Sequence, residues 1–354
     1  MLNEARRAFG VEYRSRAQLP PVTDRWWRRA LGVARFGHDP APLEIAQIPV
    51  TAVPLHPLRE PQALYEIWRA EGPMHVGRCG SVRYRANAQL LFGCITLADR
   101  GGEGSALKAD TMTAYTQIFA ALESSGYRQL VRIWNYVPEI GQPTETGERY
   151  WLFNDARQES FLASGRSVTA TVPAACALGT PKGSPLVIYF LAHKGAVQTL
   201  ENPRQVSAYR YPAQYGPRSP TFSRAALLAE GAGTLMISGT ASILGHETVH
   251  FDDVAAQTRE SLVNIGALTA DASRRLVSQR FALESLAYKV YVRHEAHLPE
   301  IVNVMQQTVG SAAAVAYMRA DICRRDLLVE IEAVGAAQRL ANESQRAQLA
   351  CATG

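Results

Sequence analysis

The sequence predicts an α+β protein of mixed sheets with helices packed on one face, and three observations carry that expectation. Strand-like apolar runs alternate with longer segments of helical periodicity, which favours sheets backed by helices over a bundle or a sandwich. The order strand, helix, strand occurs in the first half of the chain and again in the second, which reads as an internal structural duplication. The 354 residues also exceed what one core usually holds, so two domains are expected.

The elements follow in order. Residues 20–61 hold several prolines between short apolar runs at 43–48 and Val50–Val53, the pattern of loops and short strands. Val82–Ala86 and residues 90–95 read as paired strands, the second nearly all apolar and therefore buried. A glycine-rich loop at 101–104 follows. Residues 111–125 place Met112, Tyr115, Ile118, Phe119 and Leu122 at helical spacing and stop at Ser125-Gly126. Residues 130–137, 168–172 and 186–192 read as three further strands. In the second half, 235–243 is a buried strand and 244–253 a hairpin-like segment. An amphipathic helix at 254–268 carries Val254, Thr258, Leu262 and Ile265 on one face. A strand at 286–292, a short helix at 301–308 and a final strand at 327–333 complete the pattern, and the polar, alanine-rich tail beyond Ala333 is expected to be helical.

Composition narrows the function classes. An apolar fraction of 47% with 19% charged residues is that of a globular chain with real cores, which argues against disorder. The 37 Lys+Arg against 32 Asp+Glu give +5, spread along the chain. The short basic runs at Arg6-Arg7 and Arg28-Arg29 fit solvated surface better than a nucleic-acid arm, and the balance suits a small anionic substrate. Five cysteines without a CxxC pair indicate neither a disulfide framework nor a Cys-type zinc site. Residues 1–16 are polar and charged, with no signal-peptide core, and no apolar run is long enough for a bilayer, so the cytoplasm is the expected location and no membrane partner is expected.

The sharpest motif match is a distraction. His246-Glu247-Thr248-Val249-His250 fits HExxH, which holds a metal only when a helix brings both histidines to one face. Here it follows a buried strand and Gly245, contains β-branched residues, and precedes Asp252-Asp253, which suits the N-cap of the next helix. A turn or hairpin without zinc is expected. The glycines at 101–104 lack a Walker lysine, and the sequon at Asn342 carries no weight in a cytoplasmic chain.

More informative is Val-Glu-Ile-Glu-Ala at 329–333. Strand alternation puts Glu330 and Glu332 on one face, where two shielded carboxylates raise each other's pKa. Spacing alone favours the simpler reading, an edge strand with its acidic face in water.

Four separated segments in the right order resemble the RidA/YjgF family: Ile-Ser-Gly at 237–239, the helix-forming stretch 253–265, Lys-Val-Tyr-Val at 289–292 and 329–333. With a degenerate module before it, and with Arg-Ile-Trp-Asn-Tyr-Val-Pro-Glu-Ile at 132–140, Gly-Glu-Arg-Tyr-Trp-Leu-Phe-Asn at 147–154 and Arg157, the whole chain resembles the chorismatases. That resemblance implies an N-terminal extension (1–48), a degenerate RidA-like domain (49–200) and a RidA-like catalytic domain (201–354). It implies conversion of chorismate to 3-hydroxybenzoate, with 4-hydroxybenzoate as a further product, and pyruvate. Glu330 matches the family's pocket acid, and protonating the methylene carbon of an enol ether needs a carboxylic acid kept neutral by burial. Cys323, seven residues before it, matches the cysteine of the 3-hydroxybenzoate-forming type. For the two substrate carboxylates Arg224 is the first choice and Arg319 and Arg157 the next. Tyr150, Tyr209 and Tyr215 are candidate donors, and the backbone of Gly239, Thr240 and Ala241 is expected to line the pocket. No cofactor or metal is implied, and a monomer or a homotrimer is expected. The competing readings are a RidA-like enamine or imine deaminase and a non-catalytic ligand-binding protein.

Overall fold

The computed structural model describes residues 9–60, 62–98, 104–145 and 147–339. Two seven-stranded mixed sheets face each other, and a third sheet of four strands closes one side of the space between them. The N-terminal sheet runs, edge to edge, Asp321–Ile322, Ala174–Thr180, Gln129–Pro138, Leu186–His193, Leu90–Leu97, Val82–Ala86 and His75–Cys79. The C-terminal sheet runs His56–Pro57, Ala314–Arg319, Ala287–Val292, Val329–Ala336, Thr234–Thr240, Ala225–Leu228 and Gln198–Leu200.

Setting aside the two-residue strand at one edge of each, the sheets share one topology. In both, three antiparallel strands lead into a helix, a strand, a second helix and a parallel strand, and the last strand inserts between the third and fourth. The helices are α1 (Ser105–Ser125) and α2 (Arg149–Ala163) in the first half, α3 (Val254–Arg274) and α4 (Leu298–Val309) in the second. A parallel pair needs a crossover, and α2 and α4 supply it. The duplication read from the order of elements is thus present strand for strand. Each short edge strand belongs by sequence to the other half: residues 321–322 complete the N-terminal sheet and residues 56–57 the C-terminal one.

Alternation along the strands explains the layering. In Val329–Ala336, Val329 and Ile331 point to α3 and α4 and join the core of Leu262, Ile265, Ile301 and Met305. In Leu186–His193, Ile188 and Phe190 meet Tyr115, Ile118 and Phe119 of α1, while Val187, Tyr189 and Leu191 face the opposite sheet. Helices therefore cover the outer face of each sheet, and the inner faces meet in a third core with Phe9, Phe36 and Trp68 of the four-stranded sheet. That sheet pairs Phe9–Ser15 and Ala30–Phe36 with Leu64–Ala70, so residues before 49 share a sheet with residues after it.

Several boundaries differ from the sequence reading. α1 begins at Ser105 and α3 runs to Arg274, each longer than its apolar periodicity. Residues 168–172 form bends rather than a strand, with Ala170 in the left-handed region (φ 58°). The strand here is Ala174–Thr180, after Pro173; its small residues, Ala-Ala-Cys-Ala-Leu-Gly, lack the β-branched signature of a strand. Beyond Ala333 the chain continues as strand to Ala336, and Gln338–Arg339 pairs with Gln279–Arg280, so the part of the tail described is extended, not helical. The loop at 101–103, the sequon and Cys351 lie outside the described residues.

The HExxH segment is a hairpin, with Ile243–Leu244 paired to Glu247–Thr248 across Gly245 (φ 61°). His250 has φ 63° and Asp253 caps α3 by accepting from Ala256 N at 2.8 Å, so the two histidines are not on one helical face. Among the described residues no group of three or more His, Cys, Asp or Glu side chains gathers as a metal site, and no helix is long and apolar enough to cross a membrane.

Candidate active site

A cavity of about 360 Å³ opens where the two sheets meet α2 and the loops around 211–224 and 323–327. Its floor is Glu330, 5% exposed, on a central strand of the C-terminal sheet. Directly across the sheet the pairing of Thr234–Thr240 with Val329–Ala336 slips between Ile237 and Thr240. This β-bulge places Gly239 against the acid, and a Cβ on Gly239 would lie 1.9 Å from Glu330 Oε1. Only glycine leaves that space to the carboxyl. The neighbouring Ser238 binds the modules together there: its hydroxyl donates to Ser223 O at 2.6 Å and accepts from Ala175 N at 2.9 Å.

The two glutamates on this face live in different surroundings. Glu332 is ringed by donors: Arg132, Trp134 Nε1 at 2.9 Å, Lys289 Nζ at 2.8 Å and Tyr291 OH at 3.2 Å. Burial alone would raise its pKa, but Lys289 and Arg132 outweigh burial and hold the carboxyl below the usual range. Lys289 also ion-pairs with Glu66, which accepts from Trp68 Nε1 at 2.7 Å and from Tyr189 OH at 2.9 Å. Two buried cations thus meet two buried anions. Glu330 has no such partner: among the described residues no side chain is ion-paired to it. Burial first, and then the negative charge of Glu332, push it up to about 8, against a smaller pull from Arg132, Arg224 and Arg293. At neutral pH it is a carboxylic acid.

Arg224, Arg157 and Arg324 are among the arginines that line the cavity with this acid. Arg224 donates to Tyr211 OH at 2.6 Å and to Val206 O at 2.8 Å. Arg157, from α2, donates to Thr221 O and packs beneath Tyr115 and Phe161. Arg324 donates to His246 O at 2.8 Å and stacks 3.8 Å from the Tyr215 ring centroid. Each keeps one buried N–H group without a protein partner among the described residues: Arg157 Nε, Arg224 Nε and Arg324 Nη2. All three side chains line the cavity, and guanidinium groups suit the carboxylates of an anionic ligand. Cys323 also lines the cavity; burial and then Glu330 push its thiol up to about 12, so it is neutral and not a thiolate nucleophile.

Known proteins share this architecture. The family model described as chorismatase FkbO/Hyg5-like, N-terminal, matches residues 66–192. A chorismatase of Streptomyces rapamycinicus is 40% identical over 283 residues, covering 78% of this chain and 83% of the relative. A 3-hydroxybenzoate synthase of Streptomyces hygroscopicus is 33% identical over 335 residues, 89% of this chain and 93% of the relative. The chain belongs to the chorismatase family. A solved chorismatase structure superposes with TM-score 0.83 at 34% identity, covering 93% of this chain and 98% of that one.

Within this chorismatase fold the sequence-derived candidates separate. Glu330, Cys323, Arg224, Arg157, Tyr150, Tyr215, Gly239 and Ala241 all line the one cavity, though the first two lie more than 80 residues from Gly239 and about 170 from Arg157 in sequence. Arg319 does not: it is exposed on the strand beside His56–Pro57. Strand alternation explains this, since its neighbour Met318 is the one facing the inner core. Tyr209 lies in a 3-10 turn outside the cavity lining, and Thr240 is buried but turns its hydroxyl to Ser238 O at 2.8 Å. Tyr150 lies inside, and burial, followed by Cys323, raises its hydroxyl pKa, so it is a neutral donor. Sequence reasoning missed Arg324, Tyr211 and Cys176. Arg324 adjoins Cys323, and that adjacency was a usable signal; Tyr211 and Cys176 carried none.

Proposed function

We propose that the chain converts chorismate to 3-hydroxybenzoate and pyruvate, with Glu330 as the acid. The observation that carries this is a carboxyl group kept neutral by burial in the wall of a cavity that Arg157, Arg224 and Arg324 also line. Chorismate brings two carboxylates and an enol ether, and Arg157, Arg224 and Arg324 are the groups we assign to the carboxylates. Glu330 delivers its proton to the methylene carbon of the enolpyruvyl group, which makes the adjacent carbon electrophilic and the ring C–O bond labile. Displacement by the neighbouring ring hydroxyl releases pyruvate without consuming water, and loss of the ring proton gives the aromatic product. Attack by water would give pyruvate and a dihydroxycyclohexadiene carboxylate instead. The neutral Cys323 thiol, packed beside Glu330, fills space that such a water would take.

The test is to incubate the purified protein with chorismate and follow pyruvate while separating the aromatic products by chromatography. Pyruvate and 3-hydroxybenzoate in equal amounts support the assignment, and 4-hydroxybenzoate would mark a second outcome of the same chemistry. No pyruvate would overturn it in favour of an imine deaminase or a binding protein. In Cys323→Ala the ratio of 3-hydroxybenzoate to diene is expected to fall about tenfold, equivalent to ~1.4 kcal/mol between the two routes. An unchanged ratio would remove Cys323 from product control.

A further inference from the structure

Behind the cavity, at the meeting of all three sheets, lies a buried cluster that the chemistry above does not touch. Arg132 comes from the N-terminal sheet, Glu66 from the four-stranded sheet, and Lys289 and Glu332 from the C-terminal sheet. Each is at most 5% exposed. Burying four charges is costly before they pair, so a cluster of this kind is weak evidence of a stability device. Its position is more telling. Glu332 stands two residues from Glu330 on the same strand face, and every ion pair in the cluster converges directly or through Lys289 on Glu332.

We propose that Arg132, Lys289 and Glu66 are positioning residues that fix Glu332 as the anion of the two strand carboxyls and thereby leave the catalytic proton on Glu330. This deepens the reading of Glu330 as the acid and rests on it. The charges decide which carboxyl ionises. With Glu66 and Glu332 as anions and Arg132 and Lys289 as cations the cluster is neutral, and an ionised Glu330 would add an uncompensated charge to the same buried space.

Arg132 acts in two opposed ways: its ion pair favours the Glu332 anion, while its charge, like those of Arg224 and Arg293, pulls directly on the Glu330 proton. The other groups facing Glu330 do not supply this choice. Cys176 from the N-terminal sheet and Cys323 are thiols that burial holds neutral, and burial likewise keeps Tyr291, paired opposite Glu330, and Tyr150 of α2 neutral. Arg157, Arg324 and Asp326 stand farther round the same cavity wall. Among these neighbours, Glu332 is the one whose charge opposes ionisation of Glu330 most strongly.

The degenerate module therefore has a task. By register, Val187 sits across from Tyr136 in the N-terminal sheet as Glu330 sits across from Tyr291 in the C-terminal one. The first copy has an apolar residue at the acid's position and contributes Arg132 and Trp134 to the other copy's electrostatics.

The experiment is the pH profile of kcat/KM for pyruvate release by wild type and Glu332→Gln. In wild type the alkaline limb falls near pH 8, where Glu330 loses its proton. Removing the Glu332 charge moves that limb down by about one pH unit or more, whereas a purely structural loss lowers the whole curve without moving it. A limb that stays in place in an active Glu332→Gln enzyme overturns the proposal and leaves the proposed function standing; absence of pyruvate from wild type overturns the function itself. Should Glu332→Gln fail to fold, infrared spectra of wild type and Glu330→Gln at pH 7 decide the point. A buried carboxylic acid band lost in Glu330→Gln supports the proposal, and a band that persists places the proton on Glu332 and overturns it.

Discussion

Glu330→Gln is expected to lose pyruvate release by on the order of 10³-fold while becoming the more stable protein at pH 8. The amide keeps the shape of the side chain but cannot give a proton to carbon, and general acid catalysis is worth about 10²–10⁴ in rate. The stability gain follows from the same burial. Glu330 binds its proton more tightly folded, at about 8, than unfolded, near the ordinary glutamate value of 4.5. A raised folded pKa means that stability is full below about pH 4.5 and is lost as pH climbs towards 8. Glutamine does not titrate, so at pH 8 the variant is spared a penalty of roughly 2–4 kcal/mol that wild type carries, and at pH 4.5 it is spared nothing. Thermal melts of both proteins at the two pH values measure this difference. Activity within tenfold of wild type, or a melting difference that does not grow with pH, would remove Glu330 as the acid.

The second large effect is expected from Gly239→Val. The bulge brings the Gly239 backbone so close to Glu330 that the first side-chain carbon falls on the carboxyl oxygen. The acid can swing aside from one methyl, but a β-branched side chain occupies its resting place and also meets Cys176, whose Cβ lies 3.1 Å from the added carbon. Misplacement of a reacting group by about 1 Å costs on the order of 100-fold in rate, and that loss should appear mainly in kcat. The substrate arginines stand on other elements, so chorismate binding measured by calorimetry should weaken much less. A Gly239→Val enzyme with wild-type kcat would show that Glu330 does not act from the position described.

How far the sequence foretold this site depended on whether the signal was local. Glu330 and Glu332 share a face because strands alternate, and any reader of Val-Glu-Ile-Glu-Ala can place them so. Their opposite fates could not be read there, because the residues that separate them, Arg132 and Glu66, arrive from about 200 and 265 positions away. The edge-strand reading fails for the same reason: the strand is central, and its acidic face meets buried cations instead of water. The hairpin reading of His246 to His250 succeeded on the preceding strand, Gly245, the β-branched pair and the Asp pair before the next helix, all local. Arg319 was misplaced because an arginine near a motif has no period that reveals its face until the strand's edges are known. The strand Ala174–Thr180, which delivers Cys176 to the cavity, escaped because small residues fit a buried strand between two others without any of the usual β-formers.

The traded edge strands bear on how such a protein can change over time. Residues 321–322 end one sheet and residues 56–57 the other, each given by the opposite half of the chain. Divided between the halves, each fragment would expose a bare sheet edge, the template on which chains aggregate. Cys323 and Arg324 follow at once on the lent strand, so the same clasp that shields an edge also sets two walls of the cavity. Two halves clasped in this way cannot be parted without dismantling the pocket whose walls they share.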